Sequence, residues 1–353
     1  MRTRESAISE ADLTLIHALQ LAPRATWSQL AGALGPTPDT LARRWARLTA
    51  RGHAWSGVLP GALTAGSPAV TAAWIRVECA AGTVPATAAA LTEDPGTLTV
   101  QHVTGVADLV AYVAAPDPAA LDAYVVDRLH QLPGVRATRT HVVTALYTPA
   151  ASPRLDQLTP RQIRAVRELG GRPGRTVRPG RTAPLTAPDP VDQRLLLALA
   201  EDARTGVATL AQRIGASEST ARRRLARLET ADAVLFRTEV APRHSGRPVW
   251  VLICADVPPD QLAPVAAAAG RLRGTRTVTA VTGPHNLFVC AWLSRVEELP
   301  GYTEKLARAA PGLRIADTKV SLRTHKLGAH VLGPDGHRER VVPPDIWGIS
   351  PRA

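Results

Sequence analysis

The stretch ASESTARRRLARLE (Ala216–Glu229) carries four arginines among fourteen residues, yet its apolar residues keep helical spacing. At 100° per residue Ala221, Leu225 and Leu228 fall on one stripe, the face that must bury. Ser219, Arg223 and Arg227 point the opposite way, with Thr220 and Arg222 flanking them. The preceding residues predict helices over Val191–Ala200 and Val207–Ile214. Gly215 is placed to end the second in a left-handed cap, and Ser217 to N-cap the third, Glu218–Thr230. Two helices joined by a short glycine-containing turn form a helix-turn-helix. An outward Ser, Thr and Arg face fits the major groove, where arginine can grip guanine O6 and N7 bidentately. Its N-terminus, Ser217 to Thr220, is expected near phosphate or base edges. The blander reading is a solvated surface helix. A tight turn and caps that recur elsewhere in the chain argue against it.

They do recur. An offset of 180 lays Leu30–Leu48 on Leu210–Leu228 without a gap, with nine identities in nineteen positions, among them Arg43/Arg223, Arg44/Arg224 and Arg47/Arg227. Gly35 and Thr37 stand for Gly215 and Ser217, and Pro38 takes the first helical turn, where its missing N–H is harmless. Thr37, Thr40, Arg43, Arg44 and Arg47 are thus the first copy's candidates for DNA. Asp39 replaces Ser219 and Ala42 replaces Arg222, so this copy reads a different half-site or mainly backbone. With an offset of 178, QHVTGVADLV (Gln101–Val110) faces TAVTGPHNLF (Thr279–Phe288), and LPGVRATRT (Leu132–Thr140) faces APGLRIADT (Ala310–Thr318). Two full copies make a duplicated pair of domains, in the order A–B–linker–A′–B′.

In unit B, β-branched runs such as WIRVECA, TLTVQHVTG, DLVAYVA and VRATRTHVVTALY alternate with PATAAALTE and PAALDAYVVDRLHQL. That is β-α-β-β-α-β, the ferredoxin-like arrangement. The expected fold class is α+β: two winged, three-helix helix-turn-helix domains (9–58 and 188–240) and two ferredoxin-like βαββαβ domains (70–148 and 248–326). Residues 152–187 read as a basic Pro/Gly/Arg linker that begins with a short helix, Pro160–Leu169, and 327–353 as a tail.

Composition agrees. The apolar fraction is 45% and the net charge +12, so the chain is globular and favours a polyanionic partner. Residues 152–187 hold eight arginines against Asp156 and Glu168. Only Lys305, Lys319 and Lys326 are lysines. Cys79, Cys254 and Cys290 lie far apart inside apolar runs, as small core residues do in a reducing compartment. No cysteine pair has zinc-site spacing, and the ten histidines are scattered, so no metal or cofactor is expected. The N-terminus lacks a signal-peptide core and no apolar run suffices for a membrane span. A cytoplasmic, nucleoid-associated protein is the expectation.

The run DPVDQRLLLALAEDARTGVATLAQRIGASESTARRRLARLETADAV resembles the DNA-binding unit of the Lrp/AsnC, or feast/famine, family. Asp192, Arg204, Leu210-Ala211, Gly215, Ser217, Arg224 and Leu228 stand where that family places them. Unit B, with Val281-Thr282-Gly283, is similar to the family's ligand-sensing (RAM) domain. The resemblance covers nearly all of 9–147 and 188–325. It implies a regulator of transcription that binds double-stranded DNA, pairs its sensor sheets face to face and responds to a small effector, commonly an amino acid, near the Thr-Gly loop. Duplication then implies a pseudo-dimer within one chain, which assembles further into homo-oligomers, and an imperfectly symmetric DNA site.

The resemblance points to Thr104, Gly105 and Asp108, and to Thr282, Gly283, His285 and Asn286, as effector residues. Asp108 is suited to an α-ammonium group, and Asn286 takes its place in copy two. The alternative is a plain hairpin turn in which Asp or Asn caps the backbone. Gly171–Arg175 and Gly246-Arg247-Pro248 resemble minor-groove hooks, but a flexible linker and an ordinary turn are the favoured readings. No Walker loop, G-x-S-x-G elbow or H-E-x-x-H motif occurs. One enzymatic alternative survives: siroheme decarboxylases share this fold in paired units, and Arg243-His244 falls where they use arginine and histidine. A low-specificity chromatin-organising protein is another alternative.

Overall fold

A computed structural model describes residues 8–60, 70–148, 155–170, 188–230 and 234–347. The first helix-turn-helix comprises α1 (Glu10–Leu21), α2 (Trp27–Leu34) and α3 (Pro38–Ala50), followed by a wing strand, β1 (Ala54–Pro60). The second repeats it as α7 (Pro190–Glu201), α8 (Val207–Ile214), α9 (Glu218–Thr230) and β6 (Val234–Val240). The caps fall where the sequence places them. Gly215 is left-handed at φ 67° and ψ 41°, and the Ser217 hydroxyl accepts the Thr220 N–H at 3.2 Å. Thr37 does the same for Thr40 at 3.3 Å.

The wings bind the two units together. β1 and β6 form an antiparallel ladder in which Gly57 faces Arg237. These two positions differ by the repeat offset of 180, so a pseudo-two-fold axis passes through that pair. Reciprocal arginines reinforce it. Arg204 donates to the Pro23 carbonyl at 2.6 Å and the Ala25 carbonyl at 2.9 Å, while Arg24 donates back to the Ala203 carbonyl. Arg204 also lies over the Trp27 ring at 4.0 Å. Burial pushes its guanidinium down to about 10, the mark of a charge enclosed by protein.

The first sensor unit is β2 (Thr71–Cys79), α4 (Val84–Glu93), β3 (Thr97–Val103), β4 (Leu109–Ala115), α5 (Pro118–Ala123) and β5 (Val135–Thr148). The single amphipathic helix expected over 118–132 is shorter, and one π-helical turn, Tyr124–Leu129, continues it. The second unit is β7 (Val249–Asp256), α10 (Leu262–Arg271), β8 (Thr275–Val281), β9 (Leu287–Leu293), α11 (Leu299–Ala309) and β10 (Arg314–Leu327). Both are βαββαβ. β5 and β10 run fourteen residues each, more than one sheet needs. The early part of β5 pairs with β2 and its later part with β8. Likewise β10 pairs first with β7 and then with β3. Eight strands therefore close on themselves, in the order β10-β3-β4-β2-β5-β8-β9-β7 and back to β10. The inward residues of the two sheets, among them Trp74, Val110, Trp250, Leu252, Phe288 and Trp292, make one core, while alternate residues such as Ile75 and Val77 pack under the helices. The face-to-face pairing of sensor sheets expected within one chain is thus formed.

Two expectations need correction. The stretch read as a linker from 152 does hold the expected helix, Pro160–Leu169, but 155–170 packs on the first helix-turn-helix. There α6 (Pro160–Leu169) buries Val166 in the first helix-turn-helix, with Leu155 and Leu158 alongside. The apolar spacing of these residues demands a partner, and α1 and α2 supply it. Nor is the stretch after 327 a tail: β11 (His330–Leu332) pairs with β10, and β12 (Arg338–Val341) pairs with β11. The Gly171–Arg175 segment lies outside the described residues. Gly246 has φ 70° in a turn capped by the Ser245 hydroxyl on the Arg247 N–H at 3.0 Å. Among the described residues, no helix is long and apolar enough to cross a membrane.

Candidate nucleic-acid interface and sensor loops

On α9 the buried stripe is Ala221, Leu225 and Leu228, and Ser217, Ser219, Arg222, Arg223 and Arg227 are exposed. On α3, Thr37, Asp39, Arg43 and Arg47 are exposed around buried Leu41, Trp45 and Leu48, with Thr40 and Arg44 half-buried. Each third helix therefore turns a polar face to solvent.

Not every arginine on these faces is available. Arg224 and Arg227 both bind Asp192, whose side chain is 3% exposed and which lies in the first turn of α7. Arg224 also binds Asp189 at 2.6 Å, which holds that carboxyl below its usual range. The first copy repeats the device: Arg47 at 2.7 Å and Arg44 at 3.4 Å converge on Asp12. Arg227 was expected to face the groove. It is exposed there and also braces helix one against helix three, because the buried Asp192 carboxylate needs a counter-charge. Arg224 braces the same two helices. In sequence the signal was an aspartate in the third helical position of both α1 and α7. Arg222, Arg223 and Ser219 in copy two, and Arg43 in copy one, are left on the outer faces.

The Thr-Gly loops sit at the contact between sensor units. The Thr104 N–H donates to the Val320 carbonyl at 2.9 Å and its hydroxyl accepts the Val320 N–H at 3.0 Å. Thr282 makes the same two bonds with Val142, each at 2.9 Å. Asp108 and Asn286 behave as caps. The Asp108 carboxylate accepts the Cys79 N–H at 2.7 Å, and Asn286 accepts from Val257 N and donates to its carbonyl. Asp108 thus has one oxygen spent on its own fold, as the hairpin-turn alternative expects. His285 is held by Asp256 at 2.8 Å.

Sequence reading missed the side chains beneath these loops. His141 lies under Gly283, its Nδ1 3.0 Å from the Thr282 carbonyl, and Arg76 donates to its Nε2 at 3.0 Å. Burial lowers the His141 pKa. Lys319, the equivalent of His141, lies under Gly105 and binds Asp317 at 2.6 Å. Arg76 is 3.7 Å from the same Asp317. Arg76 interrupts an otherwise apolar strand run, which was the available signal; His141, Asp317 and Lys319 lie in strands already rich in polar residues.

Comparison with known proteins agrees with this geometry. The AsnC-type helix-turn-helix domain matches residues 8–49 and again 189–229, and the Lrp/AsnC ligand binding domain matches 72–151. An uncharacterized HTH-type transcriptional regulator of Pyrococcus abyssi is 28% identical over 142 residues, 40% of this chain and 89% of that protein. One from Pyrococcus furiosus is 26% identical over 141 residues, again 40% of this chain and 95% of the relative. Among solved structures, the siroheme decarboxylase NirDL is similar over 91% of this chain and 93% of its own, with TM-score 0.53 and 15% identity, a likeness of fold. The chain therefore carries the family's helix-turn-helix at two places, with an Lrp/AsnC ligand binding domain between them.

Proposed function

We propose that the chain is a sequence-specific regulator of transcription that lays two unlike recognition helices on one duplex. The observation that carries this reading is the exposed Ser219, Arg222 and Arg223 face on α9, held on a shared dyad with the Arg43 face of α3 by the β1–β6 ladder. Arg222 and Arg223 contact base edges, Ser217 and Thr220 place the helix N-terminus against phosphate, and Thr37, Thr40 and Arg43 do this work in copy one. Arg44, Arg47, Arg224 and Arg227 position the helices and reach backbone at most.

A small effector, an amino acid being the first candidate, binds where Thr104-Gly105 and Thr282-Gly283 meet the long strand of the opposite unit. Arg76, His141, Asp317 and Lys319 supply its polar contacts. The two ends carry different side chains, so they bind it unequally. The protein acts in the cytoplasm on chromosomal DNA, and its closed sensor ring is a unit from which larger homo-oligomers are assembled.

Selection of bound DNA from a random pool, with and without amino acids, tests this. An imperfect inverted repeat is expected; a perfect palindrome, or no enriched sequence, would contradict it. The fold likeness to NirDL over most of the chain motivates a second reading, a siroheme-decarboxylase-like enzyme using Arg243 and His244. Carbon dioxide release from added siroheme would favour it over the regulator. A third reading, low-specificity DNA packaging, predicts equal affinity for selected and random duplexes at physiological salt.

A further inference from the structure

His53, His244 and His337 are distant in sequence and belong to three different parts of the chain, yet the fold gathers them. His53 precedes β1, His244 ends a short 3-10 turn between β6 and β7, and His337 lies in the turn between β11 and β12. One ring nitrogen from each lies within 4.8 Å of those of the other two. His53 and His337 are buried and His244 half-buried. The Nε2 atoms of His244 and His337 face each other at 3.0 Å. On the far side of its ring, His337 Nδ1 binds the Asp335 carboxylate at 2.7 Å. That bond fixes the tautomer so that Nε2 turns its lone pair into the cluster, the outer support that metal-ligating histidines commonly have. Two imidazole nitrogens bound to one tetrahedral zinc stand about 3.3 Å apart, given bonds of about 2.0–2.1 Å. The observed pair needs to open by only a few tenths of an ångström, and His53 to close by somewhat more.

We infer that these three histidines form a binding site for a divalent cation of the zinc class, with a fourth position open to water or a small ligand. Neutral imidazoles select borderline transition metals over magnesium or calcium, which prefer oxygen. Arg338, next to His337, directs its guanidinium to the Thr49 carbonyl at 2.8 Å. The site has no twin: the repeat offset carries His53 to Ala233. Metal at this place clips the first wing, and with it α3, to the segment entering the second sensor unit and to the C-terminal hairpin. Occupancy therefore stiffens one recognition helix against the sensor ring and not the other. The ten histidines looked scattered in sequence because no two of these three share a local segment.

The test is titration of the full chain with Co2+, a zinc-class probe with visible absorption. One equivalent is expected to bind with a tetrahedral ligand-field spectrum, to be displaced by Zn2+, and to raise Tm. His244→Gln, the least buried of the three, loses that spectrum and the Tm rise while keeping its circular dichroism. Asp335→Asn weakens the affinity about 10- to 100-fold. The inference is overturned if the native chain takes up no stoichiometric Co2+, or if the variant with all three histidines changed to glutamine binds it and gains Tm as the native chain does.

Discussion

The two helix-turn-helix units share a frame and differ in what they present. Both seat the third helix by turning two arginines onto a buried aspartate of the first, Asp12 in one and Asp192 in the other. Both leave an arginine at the same outer position, Arg43 or Arg223. Around it, copy two offers Ser219 and Arg222 where copy one offers Asp39 and Ala42. Scaffold residues have stayed alike and outward residues have diverged, as expected if packing constrains both copies and each outer face meets a different surface. The sensor units show the same division. Their Thr-Gly loops make identical backbone bonds, while the side chain beneath is His141 at one end and Lys319 at the other.

The largest contrast should be in the braces. Asp12 also closes a capping box with the Ser9 N–H and hydroxyl at 3.0 and 2.8 Å, whereas Arg224 keeps Asp189 when Asp192 is lost. Asp12→Ala should therefore destabilise by about 2–4 kcal/mol and Asp192→Ala by less, the half-exposed guanidiniums limiting both. Denaturant unfolding of the two variants checks the order; equal losses would mean that Asp189 does not compensate.

A smaller difference is expected at the loops. A Cβ on Gly283, at φ +111°, would meet His141 Nδ1 at 2.7 Å, and one on Gly105, at φ +101°, would meet the end of the Lys319 side chain at 3.3 Å. Lysine can move aside, but the imidazole is pinned by Arg76 and Thr282. Gly283→Ala should cost about 1–3 kcal/mol, more than Gly105→Ala. Thermal melts of both report it.

The copies should also titrate differently. Burial pushes Lys326 down from 10.5 to about 7, against the upward pull of Asp94 and Glu93 and with a further downward push from Arg340. Thr148 stands at the matching position of β5. Between about pH 7 and 10.5 the unfolded chain holds a proton that the folded chain has released, so stability rises with pH across that window. Burial likewise pushes His330 from 6.5 to about 3, so stability falls as pH drops from 6.5 towards 3. Lys326→Met should flatten the alkaline rise in the unfolding midpoint. Hydrogen exchange at pH 4 should open the later part of β10 and its hairpin before β5.

The smallest effect concerns α6, which copy two lacks among the described residues. Arg161, Arg164 and Arg167 are exposed on it. Replacing all three with glutamine should lower the slope of log K against log salt by up to about 2.7. Base preference should be unchanged. An altered preference at constant slope would make α6 a base reader.

Much of this was legible in sequence because it is local. The caps at Ser217 and Gly215, the helical stripes and the βαββαβ alternation depend on residues a few positions apart, and the two offsets exposed the duplication. What escaped depends on contacts across the chain. Nothing near Leu155 or Val166 says that they will bury against α1, and the aspartate repeated at Asp12 and Asp192 does not by itself say which arginines will bind it. The length of β5 was visible in VRATRTHVVTALY, but its meaning, one strand serving two sheets, appears only when the ring closes. Asp108 looked like a ligand group because its partner, the Cys79 N–H, lies twenty-nine residues away.

The claim that one chain places two unlike helices on one duplex is tested most directly by repeating DNA selection with Arg223→Ala and Arg43→Ala. Each substitution should relax base preference in one half of the site only, with a loss of about 1–3 kcal/mol at the guanine that Arg223 reads. Relaxation of both halves by either substitution, or of neither by both, would contradict it.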